Sequence, residues 1–191
     1  MVSDAPCYSP RLDEALAFVA DAFRHIRRKA SGVPYLTHLL QVAVTVAENG
    51  GDEDQMVAAL LHDYLEDIPG ARSDTLRGLF GGRVTGLVEA LSESPSLRDA
   101  NWERRKEAYV AHCHLISADA KLICASDKLH NAHSIIRDHR RIGPEVWRRF
   151  SGTTAQTRWY YRAMHSALAD GWQSRVLDEL AEAVSELEAL E

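Results

Sequence analysis

Ala58-Ala59-Leu60-Leu61-His62-Asp63-Tyr64-Leu65-Glu66-Asp67 places one imidazole and three carboxylates inside an apolar run with helical spacing. Charge buried without a partner is costly, and a divalent metal is the obvious compensating cation. The string therefore points to a metal-dependent hydrolase whose remaining ligands lie elsewhere in the chain. Outward from it, Asp52 to Gln55 has capping-box spacing and opens the helix carrying His62 and Asp63, and Pro69-Gly70 closes it.

Upstream, Leu12, Leu16, Val19, Phe23 and Ile26 make one stripe of a helix predicted from Arg11 to Lys29. Ala30-Ser31-Gly32-Val33 reads as a loop, and Pro34 suits the first turn of a helix that Asn49-Gly50-Gly51 stops. Downstream, helices are predicted from Ser73 to Gly82, Arg83 to Ser92, Asn101 to Leu115 and Asp119 to Arg141. The polar, Pro95-containing stretch Ser92 to Ala100 reads as a flexible loop. Beyond Gly143-Pro144 come a turn and two more helices, the last amphipathic enough to pack on the core or on a partner subunit in a homo-oligomer. No alternating strand, internal repeat or linker interrupts this pattern. The expectation is one all-α domain over residues 1–191, a bundle of about eight to ten helices.

The 191 residues, 46% hydrophobic and 26% charged, suffice for a sizeable core. A net charge of −6 argues against a broad DNA- or RNA-binding face. Arg24, Arg27, Arg28 and Lys29 nonetheless form a local basic patch, enough for a small anion. No apolar run reaches a membrane span, and Met1 to Pro10 lacks the basic and apolar regions of a signal peptide, so the cytoplasm is expected. Cys7, Cys113 and Cys124 are odd in number and far apart, which suits neither a disulfide framework nor a cysteine metal site.

His38 and Asp127 are polar positions within apolar helices, as His62 and Asp63 are. Two imidazoles and two carboxylates suit Mn²⁺ or another divalent transition metal. Taken singly, His38 could be a satisfied core histidine, and Asp127, beside Lys128, an ordinary surface carboxylate. Glu66 follows His62 by four residues and Asp63 by three, which on one unbroken helix puts all three on a face.

The order His38, His62-Asp63, Asp127 resembles the HD-domain metal phosphohydrolases, and more narrowly the RelA/SpoT family and its small single-domain alarmone hydrolases. Three blocks carry the likeness: Arg28 to His38, Ala58 to Asp67, and Asp127-Lys128-Leu129-His130-Asn131. It covers roughly Ala15 to Arg140, with C-terminal helices over about residues 144–190 packing on that core. The resemblance implies Mn²⁺-dependent hydrolysis of the 3′-pyrophosphate of guanosine tetra- or pentaphosphate. Carried over by position, it implies His38, His62, Asp63 and Asp127 as metal ligands and Glu66 and Asp67 as the acidic pair acting on water. It also implies Arg28, Lys29, Asn131 and Ser134 as substrate contacts. Arg24, from the basic patch, is read as a further ligand contact, and Tyr35, within the first block, as a pocket residue able to stack on a base.

The chain departs from the family's common form by inserting Ala30 and by carrying Tyr64, Leu65, Ile68 and His133. A pocket reshaped by Ala30, Tyr64 and His133 would admit an adenosine alarmone or another nucleotide polyphosphate instead. A non-catalytic nucleotide-binding or toxin-neutralising partner is the rival of another class, and the intact Glu66-Asp67 pair argues against it. His130 reads as a supporting residue, and Trp159-Tyr160-Tyr161 as helix packing.

Overall fold

The computed structural model describes residues 7–29 and 31–191. The Ala30 insertion and residues 1–6 of the leader reading lie outside them. The fold is all-α: among the described residues the only β pairing is one bridge between Arg27 and Pro34.

Caps set most helix starts. Ser9 accepts from the N–H of Arg11 at the head of α1 (Pro10–Ala22), and Asp52 and Gln55 form the expected capping box on α3 (Glu53–Leu61). Asn101, Ser117 and Thr153 cap α6 (Trp102–Cys113), α7 (Ala118–Ile142) and α8 (Thr154–Ala169). Between them lie α2 (Leu36–Glu48), the single turn α4 (Tyr64–Asp67) and α5 (Ser73–Leu91). The two helices expected on either side of Gly81-Gly82 run together as α5, kinked at Gly81, where φ is 85°. The expected loop before α6 contains a 3₁₀ turn, Pro95–Leu97.

The first helix is shorter than its apolar stripe suggests. After Ala22 the chain tightens into three-residue turns (Arg24 N–H to Asp21 O, Ile26 N–H to Phe23 O) and enters the Arg27–Pro34 bridge. Phe23 still reaches the core, stacked on Tyr35 with ring centroids 5.5 Å apart. The resulting loop presents Arg28 and Lys29 to the cleft described below.

Helix α7 is the central element, packed against α2, α3, α5, α8 and α9 (Arg175–Ala189). The amphipathic face of α9 (Val176, Leu177, Leu180, Val184, Leu187) is buried against α7 and α8. That settles the inward choice for this face.

Candidate metal centre and substrate cleft

Three elements deliver the candidate ligands: His38 from the first turn of α2, His62 and Asp63 from the junction of α3 and α4, and Asp127 from the middle of α7. The single helix expected through His62-Asp63 is broken at these two residues. His62 Nδ1 lies 2.7 Å from the carbonyl of Ala59, the acceptor that the Asp63 N–H would use in an unbroken helix. A side chain inserted into the ladder in this way interrupts it. The same bond fixes the ring so that Nε2 faces inward.

His38, His62 and Asp127 each bring one ligand atom within 4.8 Å of the others. His38 Nε2 stands 3.2 Å from Asp127 Oδ1 and 3.5 Å from Asp63 Oδ2. His62 Nε2 stands 3.0 Å from Asp63 Oδ2 and 3.8 Å from Asp127 Oδ1. Both Nε2 atoms are buried and make no hydrogen bond. With His62 Nδ1–H committed to Ala59 O, the neutral ring turns a lone pair toward carboxylate oxygens. Lone pairs converging on one point in a buried site call for a cation, and this N/O donor set fits a divalent transition metal.

The electrostatics agree. Burial alone would push the His62 imidazole down, but Asp63 and Asp127 overcome it and hold His62 well above its usual range. Burial opposes ionisation of Asp63 and Asp127 as well. His62 and His38 hold Asp63 far below the usual carboxylate range, and Lys128 with the two imidazoles does so for Asp127. His130 supports the cluster: its Nδ1 lies 2.7 Å from His38 Nδ1, and burial beside His38 pushes it down to about 3. The Tyr35 hydroxyl donates to Asp63 Oδ2 at 2.7 Å, while its ring lies under Arg28. Tyr35 thus fixes a candidate ligand as well as lining the cleft.

A cleft of about 380 Å³ opens beside the cluster, lined by Arg28, Lys29, Tyr35, Asp67, Asn131 and Ser134. Arg28 donates to Asn131 Oδ1 at 2.6 Å, and the Asn131 amide donates in turn to Asp127. Arg24 is not among the lining residues: it points to solvent and pairs with Asp21 at 3.1 Å. Its helix ends at Ala22, which takes Arg24 off the face shared by Arg28 and Lys29.

Glu66 and Asp67 flank the cluster on different sides. Asp67 lines the cleft, whereas Glu66 lines a chamber of about 50 Å³ with His62, Asp63 and Asp127. Burial, then the charge of Asp63, raises both carboxyls above their usual range. One Glu66 oxygen accepts the N–H of Glu93 at 2.6 Å.

Three features were not legible from the motifs. Lys128 is no surface lysine: it is held 2.6 Å from Asp127 between the rings of Tyr109 and Tyr160. Tyr160 and Tyr161 line the cleft besides packing α8. Lys106 of α6 enters both cavities, paired with Glu93 at 2.6 Å. A lysine directly beside the Asp127 position was the one available signal. The reshaping expected from Tyr64 and His133 is absent, since neither lines the cleft. Tyr64 is buried against Phe18, with ring centroids 5.1 Å apart.

A family model for the HD domain matches residues 15–153. The chain belongs to the HD-domain family. Its HD domain is 35% identical over 137 residues to the guanosine-3′,5′-bis(diphosphate) 3′-pyrophosphohydrolase MESH1 of Danio rerio, covering 70% of this chain and 72% of that protein. It is 34% identical over 131 residues to the bifunctional (p)ppGpp synthase/hydrolase SpoT of Escherichia coli (strain K12), covering 65% of this chain and 18% of that one. A solved structure of a metazoan SpoT ortholog, described as hydrolysing ppGpp and acting in starvation responses, matches with a TM-score of 0.77 at 27% identity. That match covers 94% of this chain and 96% of the other. Among the described residues no helix is long and apolar enough to cross a membrane.

Proposed function

We propose that this HD domain is a Mn²⁺-dependent hydrolase that removes the 3′-pyrophosphate of guanosine tetra- or pentaphosphate, yielding GDP or GTP. The observation that carries the reading is the pair of buried, unbonded imidazole nitrogens converging on Asp63 and Asp127 beside a cation-lined cleft. The named activities of its relatives supply the substrate class.

His38, His62, Asp63 and Asp127 would hold the ion. Bound there, it would supply a lowered water pKa and positive charge for the phosphoryl oxygens. Glu66, with one oxygen fixed by the Glu93 N–H, keeps the other free to take the proton of the attacking water. Asp67 lies across the cluster on the cleft side, where it orients that water or the bound substrate. Arg28 and Lys29 neutralise substrate phosphates, Asn131 ties that recognition to Asp127, and Ser134, whose hydroxyl donates to the His130 carbonyl and accepts from Arg137, lines the cleft on the same helix. We place this activity in the cytoplasm, on a small nucleotide and not on DNA or RNA.

The test is incubation of the full chain with guanosine tetraphosphate, with and without Mn²⁺, quantifying GDP and pyrophosphate. Equal amounts of both, formed only with metal, are expected. No turnover in protein shown to bind Mn²⁺ would refute the substrate and turn the search to adenosine alarmones.

A further inference from the structure

Among the described residues, the buried side-chain atoms without a hydrogen bond include one hydroxyl, that of Tyr160. Tyr109 donates to the Leu91 carbonyl at 2.8 Å and Tyr35 to Asp63, whereas the Tyr160 hydroxyl is buried without any hydrogen bond. Tyr160 is 7% exposed, and it lines both the small chamber beside His62, Asp63 and Asp127 and the larger cleft. Lys106 and Lys128 line the same two spaces, with ammonium groups 5.0 and 5.8 Å from the Tyr160 ring centroid. The junction of the two cavities thus gathers one unpaired donor and two cations. Each lysine has one carboxylate partner, Glu93 or Asp127, and retains further N–H donors. Six cationic side chains line the cleft against the carboxylates of Asp67 and Asp138.

We propose that the Tyr160 hydroxyl, flanked by Lys106 and Lys128, forms a subsite for the terminal phosphate of the diphosphate, selecting pyrophosphate over a single phosphate as the group removed. This rests on the hydrolytic reading above. Water oxygen attacks the phosphorus bonded to the 3′ oxygen in the chamber, and the P–O3′ bond breaks. The electron pair stays on the 3′ oxygen, which takes up a proton, and the proton lost by water goes to the acidic pair. The second phosphorus of the departing group then lies one bridging oxygen away, at the junction. Burial keeps the Tyr160 phenol protonated, so it donates to the anion.

The test uses the full chain and its Tyr160→Phe variant, titrated by calorimetry with pyrophosphate and with orthophosphate in the presence of a chelator. Pyrophosphate affinity falls about tenfold or more in the variant, the usual weight of a hydrogen bond to a charged acceptor, while orthophosphate affinity changes less than about twofold. Without ligand the variant melts at the same temperature or higher, because it loses only an unpaired buried hydroxyl. Lys106→Met weakens pyrophosphate binding in the same direction. Equal pyrophosphate affinity in wild type and Tyr160→Phe, no pyrophosphate binding by the wild type, or a ligand-free variant that melts lower would each overturn the subsite. These readouts need no turnover, so loss of binding in Tyr160→Phe supports the subsite even if guanosine tetraphosphate is not hydrolysed.

Discussion

The sharpest consequence of the His38–His62–Asp127 cluster is thermal stabilisation by metal. A ligand that binds only the folded state at about a hundred times its Kd adds about 2.7 kcal/mol. In a chain of this length each kcal/mol moves Tm by about 2–4 °C, so saturating Mn²⁺ should raise Tm by about 5–10 °C over a chelator. In Asp127→Asn the rise should shrink to below about 2 °C, because the cluster loses the negative charge of the carboxylate that faces both imidazoles. Differential scanning calorimetry of both proteins reads this directly.

The pH dependence has a fixed sign. His62 is held above its usual range, so its imidazolium stabilises the metal-free fold at acid pH, and that contribution is lost as pH rises through the raised value. Metal ligation requires the neutral ring. The Tm gap between Mn²⁺ and chelator must therefore widen with rising pH across the same window. A rise of equal size in Asp127→Asn, or a gap that narrows with pH, would refute the cluster as a metal centre.

Glu66→Gln should lower turnover of guanosine tetraphosphate about 10²–10⁴-fold while leaving the Mn²⁺-dependent melting shift intact; loss of both would make Glu66 a ligand instead. Lys128→Met leaves Asp127 buried without its cation and should cost about 3–5 kcal/mol in urea unfolding of the chelated protein; a cost below about 1 kcal/mol would contradict the buried pair. His130→Ala removes the ring that meets His38 Nδ1 and should weaken Mn²⁺ binding about 10–100-fold by calorimetry, an effect that a bystander histidine would not produce.

The sequence shows the helices well because their signals are local: a capping box at Asp52 and Gln55, apolar stripes of period 3.6, and glycines where the chain turns. Where a long-range contact competes with a local one, the local reading fails. The stripe through Phe23 and Ile26 is genuine, yet both residues reach the core from a turn, because the chain must pair Arg27 with Pro34. Arg24 was misplaced for that reason. Lys128 and Tyr160 escaped because a lysine in a helix and a Trp-Tyr-Tyr run have ordinary structural explanations, and only the fold brings α6, α7 and α8 around one chamber.

The break at His62-Asp63 carries the larger lesson. On an unbroken helix, His62, Asp63 and Glu66 share one face. The bond from His62 Nδ1 to Ala59 O interrupts that helix at the point where the ring must be fixed. Glu66 and Asp67, consecutive in α4, point about 100° apart as helix neighbours do, one facing the chamber and the other the cleft. Two neighbouring carboxylates can then do separate work, one on water and one on substrate, with Asp63 between them raising both above their usual range. On a regular helix the Ala59 carbonyl would go to the Asp63 N–H, and the His62 ring would lose the bond that turns its Nε2 inward.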